Sequence, residues 1–183
     1  MAQSIIAIRF NESPFLIEPN KRKKMYSKIY ASPIGRIEII ADDEYILSIS
    51  FIKHKKNSFL QSNKLCEIAT KKLNLYFNGK LRQFDLPIRF KGTMFQNKVW
   101  KTIYKIPYGE TWSYQDVAKK VGDINACRAV GGANNKNPLG IIVPCHRVVG
   151  KTGDLVGYAA GLKSKEKLLK LERENLQQFK SRN

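Results

Sequence analysis

The chain has 183 residues, 33 basic and 15 acidic, for a net charge of +18, and 43% of its residues are hydrophobic. That length accommodates one sizeable core or two small ones, and the apolar content is ordinary for a globular protein. No apolar run approaches the roughly 20 residues needed to cross a bilayer, residues 1–10 lack the order of a secretory signal, and the charge excess attracts polyanions, nucleic acid first among them.

The excess is diffuse, with 18 basic and 8 acidic side chains in residues 1–100 and 15 and 7 in residues 101–183, so charge alone locates no binding face. Cys66, Cys127 and Cys145 contain no CxxC pair. Neither a disulfide framework nor a cysteine-rich zinc site is indicated, and a reducing cytoplasm is the expected compartment.

In chain order, residues 1–24 end in Lys21-Arg22-Lys23-Lys24 and read as a solvated basic extension. Ser27–Tyr30, Arg36–Ile40 and Tyr45–Phe51 have the β-branched and aromatic content of strands, with Asp42-Asp43 as a turn signal between the last two. A three-stranded meander follows from that pattern. Leu65, Ile68, Ala69, Leu73 and Tyr76 then recur at helical spacing, with Gly79 as a stop. Pro87 to Gly92 reads as a linker between residues 25–91 and residues 92–183.

Beyond the linker the signal is helical. Thr93 and Gln96 form a capping-box pattern, Phe95, Val99, Ile103 and Ile106 share one face, and Pro107 is the expected end. Ser113 with Asp116 opens a second helix that runs through Val117, Ala118 and Val121 to Gly122, and a third spans about Ala126 to Lys136. Two short helices about four residues apart make a helix-turn-helix candidate, whose second member is the one usually laid on DNA. At 100° per residue, Ala126, Ala129, Val130 and Ala133 face inward on that helix, and Arg128, Gly131, Gly132 and Asn135 face outward. Each glycine costs a helix about 1 kcal/mol relative to alanine, which points either to tight helix packing or to close approach of a nucleic-acid backbone. A last helix opens near Ser164 and packs through Leu168, Leu169 and Leu171.

The chemistry concentrates at Pro144-Cys145-His146-Arg147-Val148, directly after the apolar run Ile141-Ile142-Val143. A thiol needs a base or a positive field to become a nucleophile, and His146 and Arg147 offer both. By itself the pentapeptide also fits a buried structural cysteine at the end of a core strand. Its context narrows the choice: Ile106-Pro107-Tyr108-Gly109-Glu110-Thr111-Trp112-Ser113-Tyr114, Arg128-Ala129-Val130-Gly131-Gly132-Ala133, Asn137-Pro138 and Gly157-Tyr158-Ala159-Ala160-Gly161-Leu162 all stand in order around it. From about Gly92 to about Glu172 this set resembles the O6-alkylguanine-DNA alkyltransferases, repair proteins that take an alkyl group from guanine onto their own cysteine.

The resemblance implies an α+β fold. Residues 25–91 would form a small α/β domain, an antiparallel sheet with a helix in a ribonuclease H-like arrangement. Residues 92–183 would form a mostly helical domain with a winged-helix-like helix-turn-helix. It assigns Cys145 as alkyl acceptor, with a water, His146 and Glu172 as the activating relay; consecutive side chains in an extended segment point apart, so His146 would not touch the sulfur directly. It gives nucleotide extrusion to Tyr114 and Arg128, with Gly131, Gly132, Ala133 and Asn135 along the DNA-binding helix, and a base pocket at Val148, Tyr158, Ala159 and Asn137. Without the resemblance, Tyr114 is a packed aromatic, Asn137-Pro138 a plain turn and Glu172 an exposed partner for lysines.

The implied partner is double-stranded DNA carrying O6-alkylguanine, handled by a monomer in the cytoplasm, or in the nucleus of a eukaryote. No membrane and no cofactor are expected. Some relatives bind zinc through N-terminal Cys and His ligands, but only Cys66 and His54 are available here, so no metal is expected. Two other readings stay open: a helix-turn-helix regulator with a structural cysteine, and a Cys-His hydrolase.

Overall fold

The computed structural model describes residues 23–52 and 60–181. The basic extension, apart from Lys23 and Lys24, and His54 lie outside the described residues. Three antiparallel strands, β1 (Tyr26–Ser32), β2 (Gly35–Ala41) and β3 (Ile46–Ile52), form a sheet in the order β1-β2-β3. The second turn of the meander falls where Asp42-Asp43 signalled it. Gly35 has φ 130° at the first turn, and at the second the Asp42 carboxylate accepts from the backbone N–H of Glu44 and Tyr45.

Helix α1 (Lys64–Phe77) starts at Asn63, whose side chain accepts from the Cys66 N–H. It lays Cys66, Ala69, Leu73 and Tyr76 on the sheet against Ile37 and Ile39, all without exposure. The free edge of β3 is occupied from elsewhere in the chain. Ile46 bridges to Ile88, and Ile49 bridges to Leu139, with Ile49 N–H donating to the Pro138 carbonyl at 2.8 Å and Gly140 N–H to the Ile49 carbonyl at 2.9 Å. An open strand edge is thereby paired rather than left as a site of association, and the segment leading to Cys145 is tied to the sheet.

The second half holds α2 (Met94–Ile103), β4 (Trp112–Ser113), α3 (Tyr114–Lys120), α4 (Cys127–Asn135), β5 (Val148–Val149) and α5 (Leu162–Lys180). Both expected capping boxes are made, Thr93 with Gln96 and Ser113 with Asp116. Helix α2 ends at Ile103, four residues short of Pro107. Residues 103–106 close instead as a tighter turn in which Lys105 and Ile106 donate to the carbonyls of Thr102 and Ile103. Six residues separate α3 from α4, and the last helix begins at Leu162 after Gly161. The parallel pairing of β4 with β5, Trp112 opposite Val148, had no signal in the sequence. It joins the start of the helix-turn-helix to the residues just after Cys145.

Candidate active site

Cys145 does not sit in an extended strand. Residues 145–147 form a single 3₁₀ turn entered from Pro144, so the strand-alternation argument that separated Cys145 from His146 does not apply. The approach is tightly wound: Ile142 N–H donates to the Gly140 carbonyl at 2.8 Å around Ile141, which has φ 70°. A β-branched residue in the left-handed region is strained, and the packing must hold it there, since Ile141 is buried. Asn137 binds across the loop, donating to the Val143 carbonyl at 2.8 Å and accepting from Leu139 N–H at 3.0 Å.

Behind the cysteine lies a buried ionic cluster. His146 Nε2 meets Glu172 Oε1 at 2.9 Å. Arg147 donates through Nε to Oε2 and through Nη2 to Oε1, both at 2.9 Å, and through Nη1 to the Ile106 carbonyl. Tyr76 donates to Oε1 at 2.6 Å and Gly109 N–H to Oε2 at 3.0 Å. Glu172 and His146 have no exposure and Arg147 has 6%. Glu172, which could have been a surface charge, is thus the acceptor on which four residues converge. Arg147, expected as a possible activator of Cys145, is directed to Glu172 instead.

Burial pushes the Glu172 carboxyl up, but the charge that His146 takes on in acid, the charge of Arg147 and the hydrogen bonds from both outweigh it and hold the carboxyl well below the usual range. Burial holds His146 below its ordinary value, against the opposing pull of Glu172, so the ring is neutral at neutral pH. A carboxylate can only accept, so Nε2 carries the proton toward Glu172 and Nδ1 keeps its lone pair. That Nδ1 is buried with no hydrogen-bond partner among the described residues. Burial also raises the Cys145 thiol, opposed by the Asn137 side chain, the charge of Lys165 and the backbone N–H groups of Cys145 and His146. The resting site therefore holds a neutral base and a protonated thiol.

Cys145 opens onto a cavity of about 80 Å³ lined by Asn134, Asn135, Asn137, Tyr158, Ala159 and, from β3, Ile49 to Phe51. Tyr158 packs edge-on to both His146 and Phe51. Val148, expected in this pocket, does not line it: its side chain is in the core and its carbonyl already accepts from Lys165 Nζ at 2.6 Å. Lys165 has no exposure and also reaches the Val156 carbonyl at 2.7 Å. Burial brings its pKa down to about 8.

The DNA-facing expectations separate by exposure. On α4, Arg128, Gly132 and Asn135 are exposed and Gly131 is half-buried. A methyl group at Gly131 would meet the Tyr114 ring at 3.8 Å, and at Gly132 nothing within 4 Å. Helix packing therefore does not require either glycine. Ala133, expected among the DNA contacts, is buried and gives its carbonyl to the Trp100 indole at 2.8 Å. The inward face is also rotated from the expected one: Ala129 is exposed and Asn134 is buried, with its amide 3.4 Å from the Cys145 carbonyl. Tyr114, half-buried at the start of α3, donates to the Val156 carbonyl at 3.3 Å.

Residues 94–174 match the model of the 6-O-methylguanine DNA methyltransferase DNA binding domain, and residues 25–90 match that of the 6-O-methylguanine DNA methyltransferase ribonuclease-like domain. The chain belongs to the 6-O-methylguanine DNA methyltransferase family. A methylated-DNA–protein-cysteine methyltransferase of Methanosarcina acetivorans is 47% identical over 153 residues, covering 81% of this chain and 98% of that protein. One of Mycolicibacterium paratuberculosis is 39% identical over 146 residues, covering 78% and 88%. The crystal structure of Mycobacterium tuberculosis OGT in complex with DNA superposes with a TM-score of 0.76 at 38% identity, covering 82% of this chain and 94% of that one. The α+β architecture expected from the resemblance is the one observed.

Within this family frame the structure brings Cys145, His146, Glu172, Asn137 and Tyr158 into one site. It adds residues that sequence reasoning missed. Tyr76 and Gly109 reach Glu172 from the chain before it, Lys165 and Asn134 flank the cysteine, and β3 closes one wall of the cavity. A lysine three residues from both Leu162 and Leu168, on their helical face, was the one sequence signal available for Lys165. Cys66 is buried in α1, and no group of three or more metal-binding side chains occurs among the described residues.

Proposed function

We propose that this chain repairs DNA by taking the alkyl group of O6-alkylguanine in duplex DNA onto Cys145, once per molecule. The supporting observation is the placement of Cys145 on a small cavity, with a neutral, buried His146 held by the Glu172 carboxylate and turning an unpartnered Nδ1 away from it. His146 takes the thiol proton through a bridging water, as in the family, and Glu172 stabilises the imidazolium. The thiolate attacks the alkyl carbon in line. The S–C bond forms as the C–O6 bond breaks, the electron pair stays with guanine, and the proton held at His146 balances the departing base.

O6 of guanine is inside the duplex, so the nucleotide must be turned out of the stack. Arg128, exposed on α4, fills the space left behind, and Tyr114 works beside the phosphate. Gly131, Gly132 and Asn135 let the helix approach the backbone closely. The product is a thioether, which water does not cleave, and this makes the reaction a single turnover. O4-alkylthymine presents a similar exocyclic alkoxy group and is a second candidate substrate.

Intact-mass spectrometry after incubation with an oligonucleotide containing O6-methylguanine should show a gain of one methyl group, mapped to Cys145. Cys145→Ser should lose the gain while still binding DNA. Modification of Cys66 or Cys127 instead, or no gain at all, overturns the reading; the latter is the result that a helix-turn-helix regulator or a hydrolase would give.

A further inference from the structure

Tyr76 stands on α1 of the sheet-bearing half, 96 residues before Glu172, yet its hydroxyl lies 2.6 Å from Glu172 Oε1 and neither residue is exposed. We propose that Tyr76 is a positioning residue for alkyl transfer, which sets the basicity of His146 by sharing the Glu172 oxygen that His146 uses. The proposal rests on the alkyl-transfer reading above.

Three donors converge on Oε1: the Tyr76 hydroxyl, His146 Nε2 at 2.9 Å and Arg147 Nη2 at 2.9 Å. Each donor draws negative charge from the oxygen and so weakens what it offers to the others. The phenol keeps its proton and donates, since burial and the Glu172 charge hold its pKa well above the ordinary value. With Tyr76 present, the carboxylate orients the imidazole without making it strongly basic, and His146 stays unprotonated and ready to accept from Cys145.

Packing alone does not account for the hydroxyl. The Tyr76 ring packs edge-on to Phe77 and Tyr108 and tilted against Phe84, a setting in which phenylalanine would fill the same space without burying a polar atom. The other groups acting on His146 are Glu172 and Lys165 from α5, Arg147 and Cys145 from the 3₁₀ turn, and the Tyr158 ring edge-on at 6.5 Å. Gly109 N–H and Arg147 Nε hold Oε2 and fix the carboxylate plane. Among these groups, Tyr76 is the one contributed by α1.

The test compares wild type with Tyr76→Phe, which removes only the hydroxyl. Single-turnover transfer is measured against pH, and the two histidines of the chain are titrated by NMR in the unreacted protein. The His146 titration and the acidic limb of the rate profile should both move up by roughly half to one pH unit, the scale on which one charge-assisted hydrogen bond acts. Phe77→Leu, which disturbs the same aromatic cluster without touching Glu172, should lower thermal stability and leave both curves in place. Superimposable curves for wild type and Tyr76→Phe overturn the proposal, as does an equal shift in Phe77→Leu. If wild type transfers no alkyl group but His146 still shifts in Tyr76→Phe, the transfer reading fails and the coupling of Tyr76 to His146 stands.

Discussion

Replacing Glu172 by glutamine tests how much of the site depends on a single charge. The two side chains have nearly the same volume, so packing around Leu168 and Leu169 is kept. The hydrogen bonds are not. Oε1 accepts from Tyr76, His146 and Arg147, and Oε2 from Arg147 and Gly109. Every one of these partners donates, so either orientation of the amide sets an NH₂ group against at least two donors. The Arg147 guanidinium, 6% exposed, also loses its counter-charge. Breaking a buried ion pair from one side costs about 3–5 kcal/mol, a large part of the ~5–15 kcal/mol that holds a typical domain folded.

The pH dependence of that loss has a definite sign. The Glu172 carboxyl is held below its ordinary value in the folded chain. Its contribution is therefore fully present above the unfolded value of about 4.3 and disappears as pH falls through the lower folded value. Urea unfolding of wild type and Glu172→Gln should give curves separated by about 3–5 kcal/mol near neutral pH that converge on strong acidification. Single-turnover transfer, measured where the variant is fully folded, should be roughly 10²-fold slower at neutral pH, the lower end of what a positioned base contributes. It should recover partly in alkali as Cys145 ionises unaided. A variant within about 1 kcal/mol of wild type, or with a superimposable rate profile, would refute the reasoning and show that the buried charge of Glu172 supports neither the fold nor the transfer.

Arg128→Ala should slow repair of duplex DNA far more than reaction with a free O6-substituted guanine, because Arg128 is exposed on α4 and Cys145 lies beyond the Asn137 loop; equal losses on both substrates would place it in the transfer step. Lys165→Met should leave the Val148 and Val156 carbonyls without their donor and cost about 1–3 kcal/mol. Wild type should gain stability as pH rises from about 8 toward about 10.4, since over that span the unfolded chain binds more protons than the folded one, and urea unfolding across that range should show Lys165→Met without the rise. Gly109→Ala should lose both stability and transfer, because Gly109 has φ 76° and an added methyl would lie 2.2 Å from Leu176 while its N–H holds Glu172; a variant that melts with wild type would show that α5 yields there.

The sequence by itself determined what depends on neighbours along the chain. The capping boxes at Thr93 and Ser113, the Asn137-Pro138 turn and the strand at Arg36–Ile40 rest on local hydrogen bonds and local composition, and each is found where it was read. The order of motifs around Cys145 likewise points to the family without any tertiary contact. The tertiary structure decided what depends on residues far apart in the chain. A carboxylate at helical spacing reads the same whether it faces lysines in water or a buried arginine. Only the crossing of α1, the Gly109 turn and the 3₁₀ turn at Cys145–Arg147 placed Tyr76, Gly109, His146 and Arg147 around Glu172. The same holds for α4, where periodicity put Ala129 inside, but the folded chain leaves Ala129 exposed and buries Asn134 beside the Cys145 carbonyl. Local geometry is written in short spacings, whereas the protonation states on which the chemistry depends come from burial and from partners that only the folded chain brings together.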